Sequence, residues 1–199
     1  MNYLAHSYLS YSDPQIVGQF LQDFIRNKDR FLYPTEIQQG IRLHRAIDTF
    51  TDAHPVIHEA KKLFSPLVRL YAGAFVDVAM DYFLANGLQE HELREHTARV
   101  CQALRNHQSL LPPGLLRMLE SMERDQWLNQ YRTELGIKYA MQNVLNKATY
   151  LEKDLAVHDL FLYYKDELEV YFHDFFPELL AYVAEVNDSF QENDDAAKK

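Results

Sequence analysis

Ala74-Phe75-Val76-Asp77-Val78-Ala79-Met80-Asp81-Tyr82-Phe83-Leu84 would be apolar on nearly every side of a helix. A helix that is hydrophobic all round is buried, so this stretch predicts a central helix sheathed by others. Asp77 and Asp81 ride on it four residues apart, one turn apart on one face. Burying an unpaired carboxylate is costly, and both therefore require a cation or strong hydrogen-bond donors nearby.

Working outward, punctuation and periodicity predict helices on both sides. Pro66 marks the start of the apolar helix and Asn86-Gly87 its stop. Upstream, Asn2 can cap a short helix running to about Tyr11. Asp13-Pro14 supplies a cap and a first-turn proline for a helix to about Asn27. Thr35 can cap a third helix carrying Ile37, Ile41, Leu43 and Ile47 to near Pro55. Downstream, a charged amphipathic helix spans about 90–107 and ends before Pro112-Pro113-Gly114. Helices are then expected over 115–125 and 135–148, and a long one from 152, interrupted or kinked at Pro177. The last carries Phe161, Tyr164, Leu168, Phe172 and Phe175-Phe176, a stripe that reads as core. No strand pattern competes. With only six glycines and seven prolines, turns are few, and the fold class expected is an all-α, single-domain helical bundle over 1–190. Polar, charged residues 191–199 read as a disordered tail.

Composition narrows the function classes. A chain of 199 residues supports one well-packed core. The single cysteine, Cys101, excludes an internal disulfide and reads as a small buried group in a reducing compartment. Met1 to His6 shows no basic region leading into an apolar run, so no signal peptide is expected. No run reaches eighteen uncharged apolar residues, so no membrane span is expected. Together these point to the cytoplasm. A net charge of −9 argues against nucleic-acid binding. Yet Arg26 to Arg69 holds eight Lys/Arg against five Asp/Glu, a locally basic stretch that suits a small anionic partner.

Four polar pairs with four-residue spacing stand out: Asn2/His6, Gln19/Asp23, His44/Asp48 and Asp77/Asp81. Each falls on a different expected helix. Asp23 lies among apolar neighbours in Phe20-Leu21-Gln22-Asp23-Phe24-Ile25. On the third helix His44, Asp48 and Asp52 form a row at i, i+4 and i+8. Such pairs are a common way for a helix to grip a metal, and imidazole mixed with carboxylate suits zinc, iron or manganese. Asp52 and His54 sit near the helix end, where capping is the competing role. His58, His91, His96, His107, His158 and His173 lack such context and read as surface or packing residues. No Gly-rich phosphate loop, cysteine zinc site or nucleophile elbow is present.

These residues resemble those of the acyl carrier protein phosphodiesterase family. The resemblance rests on Met1 to His6, Gly18 to Phe24, His44-Arg45-Ala46-Ile47-Asp48 with Thr51-Asp52, and Asp77-Val78 with Asp81 to Leu84. Trp127-Leu128, Tyr131-Arg132 and Phe172 to Pro177 extend it more weakly. It implies an HD-like all-α fold and a divalent cation, manganese, with magnesium or iron as alternatives. It also implies removal of the 4′-phosphopantetheine arm from holo acyl carrier protein, an acidic protein substrate. The implied site residues are Asp23, His44, Asp48, Asp77 and Asp81, with His6 and Asp52 beside them. On that basis His44 and Asp81 ligate the metal and Asp23, Asp48 or Asp77 complete its shell. One of these three carboxylates, unbound, orients or deprotonates water, with His6 in support. Arg26, Arg42, Arg45, Lys61, Lys62 and Arg69 are candidates for meeting the carrier protein, with Asp52 and His54 nearby, and Arg45 could instead hold the phosphate. Two departures from the family pattern are Gln19, where Asn is usual, and Lys147-Ala148-Thr149-Tyr150, where an Arg-containing stretch is usual. Two rival readings share many of these residues: an HD-type phosphohydrolase acting on a small nucleotide or phosphate ester, and a non-catalytic helical module with a buried polar network.

Overall fold

Eleven residues of the segment Ala72–Gly87 are buried, Asp81 among them, which makes this helix the centre of the molecule. The computed structural model describes residues 1–197, with side chains through Phe190; the polar tail expected over 191–199 lies outside the residues whose side chains are described. The fold is all-α, with no strand among the described residues. Its helices are α1 (Tyr3–Tyr8), α2 (Asp13–Leu21), α3 (Thr35–Ala53), α4 (Pro55–Val68), α5 (Ala72–Gly87), α6 (Glu90–Asn106), α7 (Pro113–Asp125), α8 (Trp127–Gln130), α9 (Glu134–Lys147), α10 (Val157–Tyr163) and α11 (Lys165–Ala197). One apolar cluster links all eleven.

Several boundaries differ from expectation for local reasons. Ser12, not Asp13, caps α2, its side chain accepting from the Gln15 N–H. That helix ends at Leu21 because the chain tightens, with Phe24 N–H bonding the Leu21 carbonyl, before a 3-10 helix at Asn27–Leu32. Pro66 opens nothing: it lies inside α4, which stops at Arg69, where φ is +53°. Pro55–Gly87 is thus two helices. As one stretch it is long and apolar enough to cross a membrane, but Phe64 and Phe75 stack across the break at 6.2 Å in the core, so its apolar length is used in packing. Nor does a helix begin at 152. The chain before α10 is irregular, and the Lys153 ammonium donates to the Leu145 and Ala148 carbonyls at the end of α9. Pro177 does not interrupt α11. Its aromatic residues pack on α5 and α3, Phe172 lying 5.9 Å from Phe83 and Phe175 6.1 Å from Phe50, while Phe161 of the expected stripe lies on α10.

One contact sets the site. α2 and α3 cross with their backbones touching: a Cβ at Gly40 would lie 2.2 Å from the Gln15 carbonyl oxygen, and one at Gly18 would lie 2.2 Å from that of Ile37. Only glycine permits this approach, which brings Asp23, just past α2, against His44 and Asp48 on α3. Gly40→Ala is therefore expected to force the helices apart, costing about 2 kcal/mol or more as overpacking does, and to loosen the site. Urea denaturation should show the loss, and an unchanged midpoint would count against the crossing.

A second interhelical bond makes stability depend on pH. The Ser7 hydroxyl donates to the Leu4 carbonyl, so at the 3.0 Å contact with His96 it must accept from Nε2–H. Burial, with Arg99 adding to it, holds the His96 pKa down to about 4. The unfolded chain therefore takes up this proton first. His96 contributes stability above about pH 6.5 that is lost as pH falls toward 4. Wild type is expected to lose more stability than His96→Gln over that window in urea titrations; parallel curves would refute the assignment.

Candidate metal centre

A cavity of about 280 Å³ opens between α1, the end of α2, α3 and α5. His6 enters it from α1, and His44 and Asp48 from one face of α3. Asp23 enters from the turn after α2. The two imidazoles stack at 3.9 Å, 10° from parallel. His6 Nε2 lies 3.2 Å from Asp48 Oδ1, His44 Nε2 lies 3.2 Å from Asp48 Oδ2, and Asp23 Oδ1 is 3.7 Å from His44 Nε2. One ligand atom from each of His6, His44 and Asp48 falls within 4.8 Å of the others, close enough for one ion about 2 Å from each.

Hydrogen bonding favours such an ion. In the orientation shown, the Gln19 amide oxygen lies 3.0 Å from His6 Nδ1, so that nitrogen carries the ring proton. Burial, then the neighbouring His44, lowers the His6 pKa and keeps the ring neutral. Nε2 is then a bare lone pair facing the Asp48 carboxylate at 3.2 Å and the Met1 carbonyl at 3.1 Å. In this tautomer acceptor atoms of His6, Asp48 and Met1 face one another. Burial alone would raise the Asp48 pKa, but positive charge at this spot, supplied by hydrogen bonds from His44 and His6 in their protonated forms, holds it well below the usual carboxylate range. His44 Nδ1 is buried without a hydrogen-bond partner. A ring whose far nitrogen donates to a carbonyl is the usual support for a metal-ligating histidine. Two imidazoles and one or two carboxylates suit manganese, iron or zinc better than calcium.

The other expected residues divide sharply. Asp77 lines the cavity and accepts from the Met1 terminal ammonium at 2.9 Å. Asp81 stands apart from the cluster: fully buried, it accepts from the N–H groups of Asn2, Leu4 and Ala5 at 3.3, 2.8 and 3.2 Å. Burial pushes its pKa up to about 7 against those donors. Backbone N–H donors thus meet this carboxylate, with the Met1 ammonium adding charge. Asp52 lines the cavity on the far side and binds Lys61 Nζ at 2.7 Å. His54 caps α4 through the Val56 N–H and meets Glu178 at 3.2 Å, turned away from the cavity. Arg45 donates to Gln22, Arg42 lies over the Phe190 ring, and Arg26 pairs with Asp29. None of the three lines the cavity. Four lining residues were not among the expected site residues: Met1, Asn2, Tyr3 and Thr51. Thr51, whose buried hydroxyl has no partner, continues the His44/Asp48 face at i+7, a spacing that could have revealed it.

The family model described as acyl carrier protein phosphodiesterase matches residues 1–179. The chain belongs to the acyl carrier protein phosphodiesterase family. Relatives carrying that name include one from Salmonella dublin, 31% identical over 196 residues, covering 92% of this chain and 98% of the relative. One from Escherichia coli strain K12 / DH10B is 30% identical over 191 residues, covering 91% and 96%. Another from Enterobacter sp. (strain 638) is 29% identical over 187 residues, covering 90% and 96%. No solved structure matches the chain, so the HD-like fold stays an expectation from the sequence resemblance. Gln19, the first departure from the expected family pattern, meets His6 Nδ1 with its amide at 3.0 Å. Lys147 to Tyr150, the second departure, lies at the end of α9, with none of its residues lining the cavity.

Proposed function

We propose that the chain hydrolyses the phosphodiester joining 4′-phosphopantetheine to holo acyl carrier protein in the cytoplasm, using a divalent cation, manganese, with magnesium or iron as alternatives. The observation that carries this is the convergence of the His6 and His44 Nε2 atoms on Asp48 in an open cavity. Family membership supports acyl carrier protein as the substrate.

A divalent cation bound there would neutralise a phosphate oxygen and lower the pKa of nearby water. His6, His44 and Asp48 would hold it. Asp23, with 42% of its side chain exposed at the cavity, is the carboxylate left to orient the attacking water and accept its proton. The water oxygen bonds to phosphorus as the bond to the carrier's serine oxygen breaks. That oxygen leaves with a proton, giving apo carrier protein and free 4′-phosphopantetheine. The unpartnered Thr51 hydroxyl is placed to donate to a phosphate oxygen. Lys61, held at the rim by Asp52, supplies positive charge where no arginine lines the cavity. Asp77, tied to the Met1 ammonium, fixes the wall rather than the ion. Arg26, Arg42 and Arg45, outside the cavity, are left to meet the carrier.

Mass spectrometry of holo carrier protein incubated with the chain and manganese is expected to show loss of the phosphopantetheine mass. No loss across several carrier proteins would sink the reading, and turnover of nucleotides alone would favour the small-ester rival.

A further inference from the structure

The 3-10 helix Asn27–Leu32 has no buried residue. Phe31 is 66% exposed and Leu32 81% exposed. Large apolar side chains so placed contribute nothing to the core, and clustered ones mark contact surfaces. Around them stand Arg26, Lys28 and Arg30 against a single acid, Asp29. Arg30 lies over the Phe31 ring at 4.4 Å, so charge and apolar surface form one patch. The segment begins three residues after Asp23, at most about 11 Å of extended chain from the cavity wall. After the patch the chain is re-anchored, the Gln38 amide donating to the Tyr33 carbonyl at 2.8 Å.

We propose that Arg26–Leu32 is the docking element for the carrier protein, its cations meeting the partner's acidic surface and Phe31 and Leu32 entering apolar surface beside it. The inference rests on the reaction proposed above and adds where the protein substrate sits. The scissile bond lies at the root of the phosphopantetheine arm, on a serine of the carrier itself. For phosphorus to reach His44 and Asp48, the carrier's own surface must touch the cavity rim. A chain of net charge −9 repels an acidic partner over most of its surface, so encounter is favoured where the local sign reverses. Among segments flanking the site, this one combines that reversal with exposed apolar side chains.

The test is fluorescence anisotropy of labelled apo carrier protein titrated with the full-length chain. The apo form has no phosphodiester, so binding is measured apart from turnover, and a failure here is separate from a failure of the mass assay. Lys28→Glu/Arg30→Glu and Phe31→Ser/Leu32→Ser change exposed side chains, and each pair is expected to weaken binding about tenfold or more. Added salt should weaken wild-type binding more steeply than that of the charge-reversed pair. Wild type that fails to bind, or variants that bind within about twofold of it, would overturn the proposal. So would variants that bind the carrier normally but lose adsorption to phosphatidylglycerol vesicles, which would assign the patch to a membrane surface.

Discussion

Asp48→Asn is expected to lower phosphodiester hydrolysis by at least about 10³-fold, the scale on which removing one preorganised charge at a reacting centre is felt. Both carboxylate oxygens are in use, one against each imidazole Nε2 at 3.2 Å. Asparagine keeps one oxygen and replaces the other with an NH2 group. That group would donate to a bare imidazole nitrogen and occupy the lone pair a cation needs. Manganese affinity, read by electron paramagnetic resonance, should therefore fall with activity. Metal-free protein should move the other way. Its acceptors no longer face one another unprotonated, so the thermal midpoint should hold or rise. These paired signs separate a metal centre from a structural ion pair. If Asp48 merely bridged two protonated histidines, the asparagine would destabilise the metal-free chain, as breaking a buried pair does. Undiminished turnover with undiminished manganese binding would remove Asp48 from the site.

What sequence spacing reveals, and what it hides, follows from which groups do the bonding. His44 and Asp48 were legible because side chains at i and i+4 share a helix face wherever the helix lies, and the burial of α5 was legible from its all-round apolarity. The crossing of α2 on α3 was not. It depends on Gly18 and Gly40, single small residues with no period to mark them, recognisable only once the two backbones touch. The breaks were misplaced where backbone rather than side chain decides: Arg69 adopts φ of +53° with no glycine to announce it, while Pro66 is absorbed into α4. The arginines were visible as charges, but sequence carries no information on direction. Arg42 turns to Phe190, and Lys61 faces Asp52 at the rim. Asp81 is the instructive case. Its surroundings require compensation, and a cation and a set of donors look alike in sequence, since backbone N–H groups are present at every residue but proline.

Asp81→Leu is expected to cost on the order of 4 kcal/mol, because its carboxylate serves three backbone donors at once. The first N–H groups of a helix have no intrahelical partner. Asn2 covers that of Tyr3 with its own side chain, and Asp81 reaches across from α5 to cover those of Leu4 and Ala5, with Asn2 in addition. Leucine fills the volume but leaves these donors buried and unpaired, at about 1–3 kcal/mol each before relaxation. For a chain of this length the melting temperature should fall by about 10 °C. The damage should also reach the site, since α1 is only six residues long and carries His6; activity is expected to drop although Asp81 touches neither imidazole. Asp81→Asn, which retains one accepting oxygen, should fall between leucine and wild type. The opposite ordering separates the possibilities. Were Asp81 a metal ligand held in an apolar wall, its removal would relieve a buried charge, and the metal-free leucine variant would melt at or above wild type. Differential scanning calorimetry on metal-free protein decides between them: a large loss assigns Asp81 to anchoring the helix that presents His6, and a gain returns it to the cation.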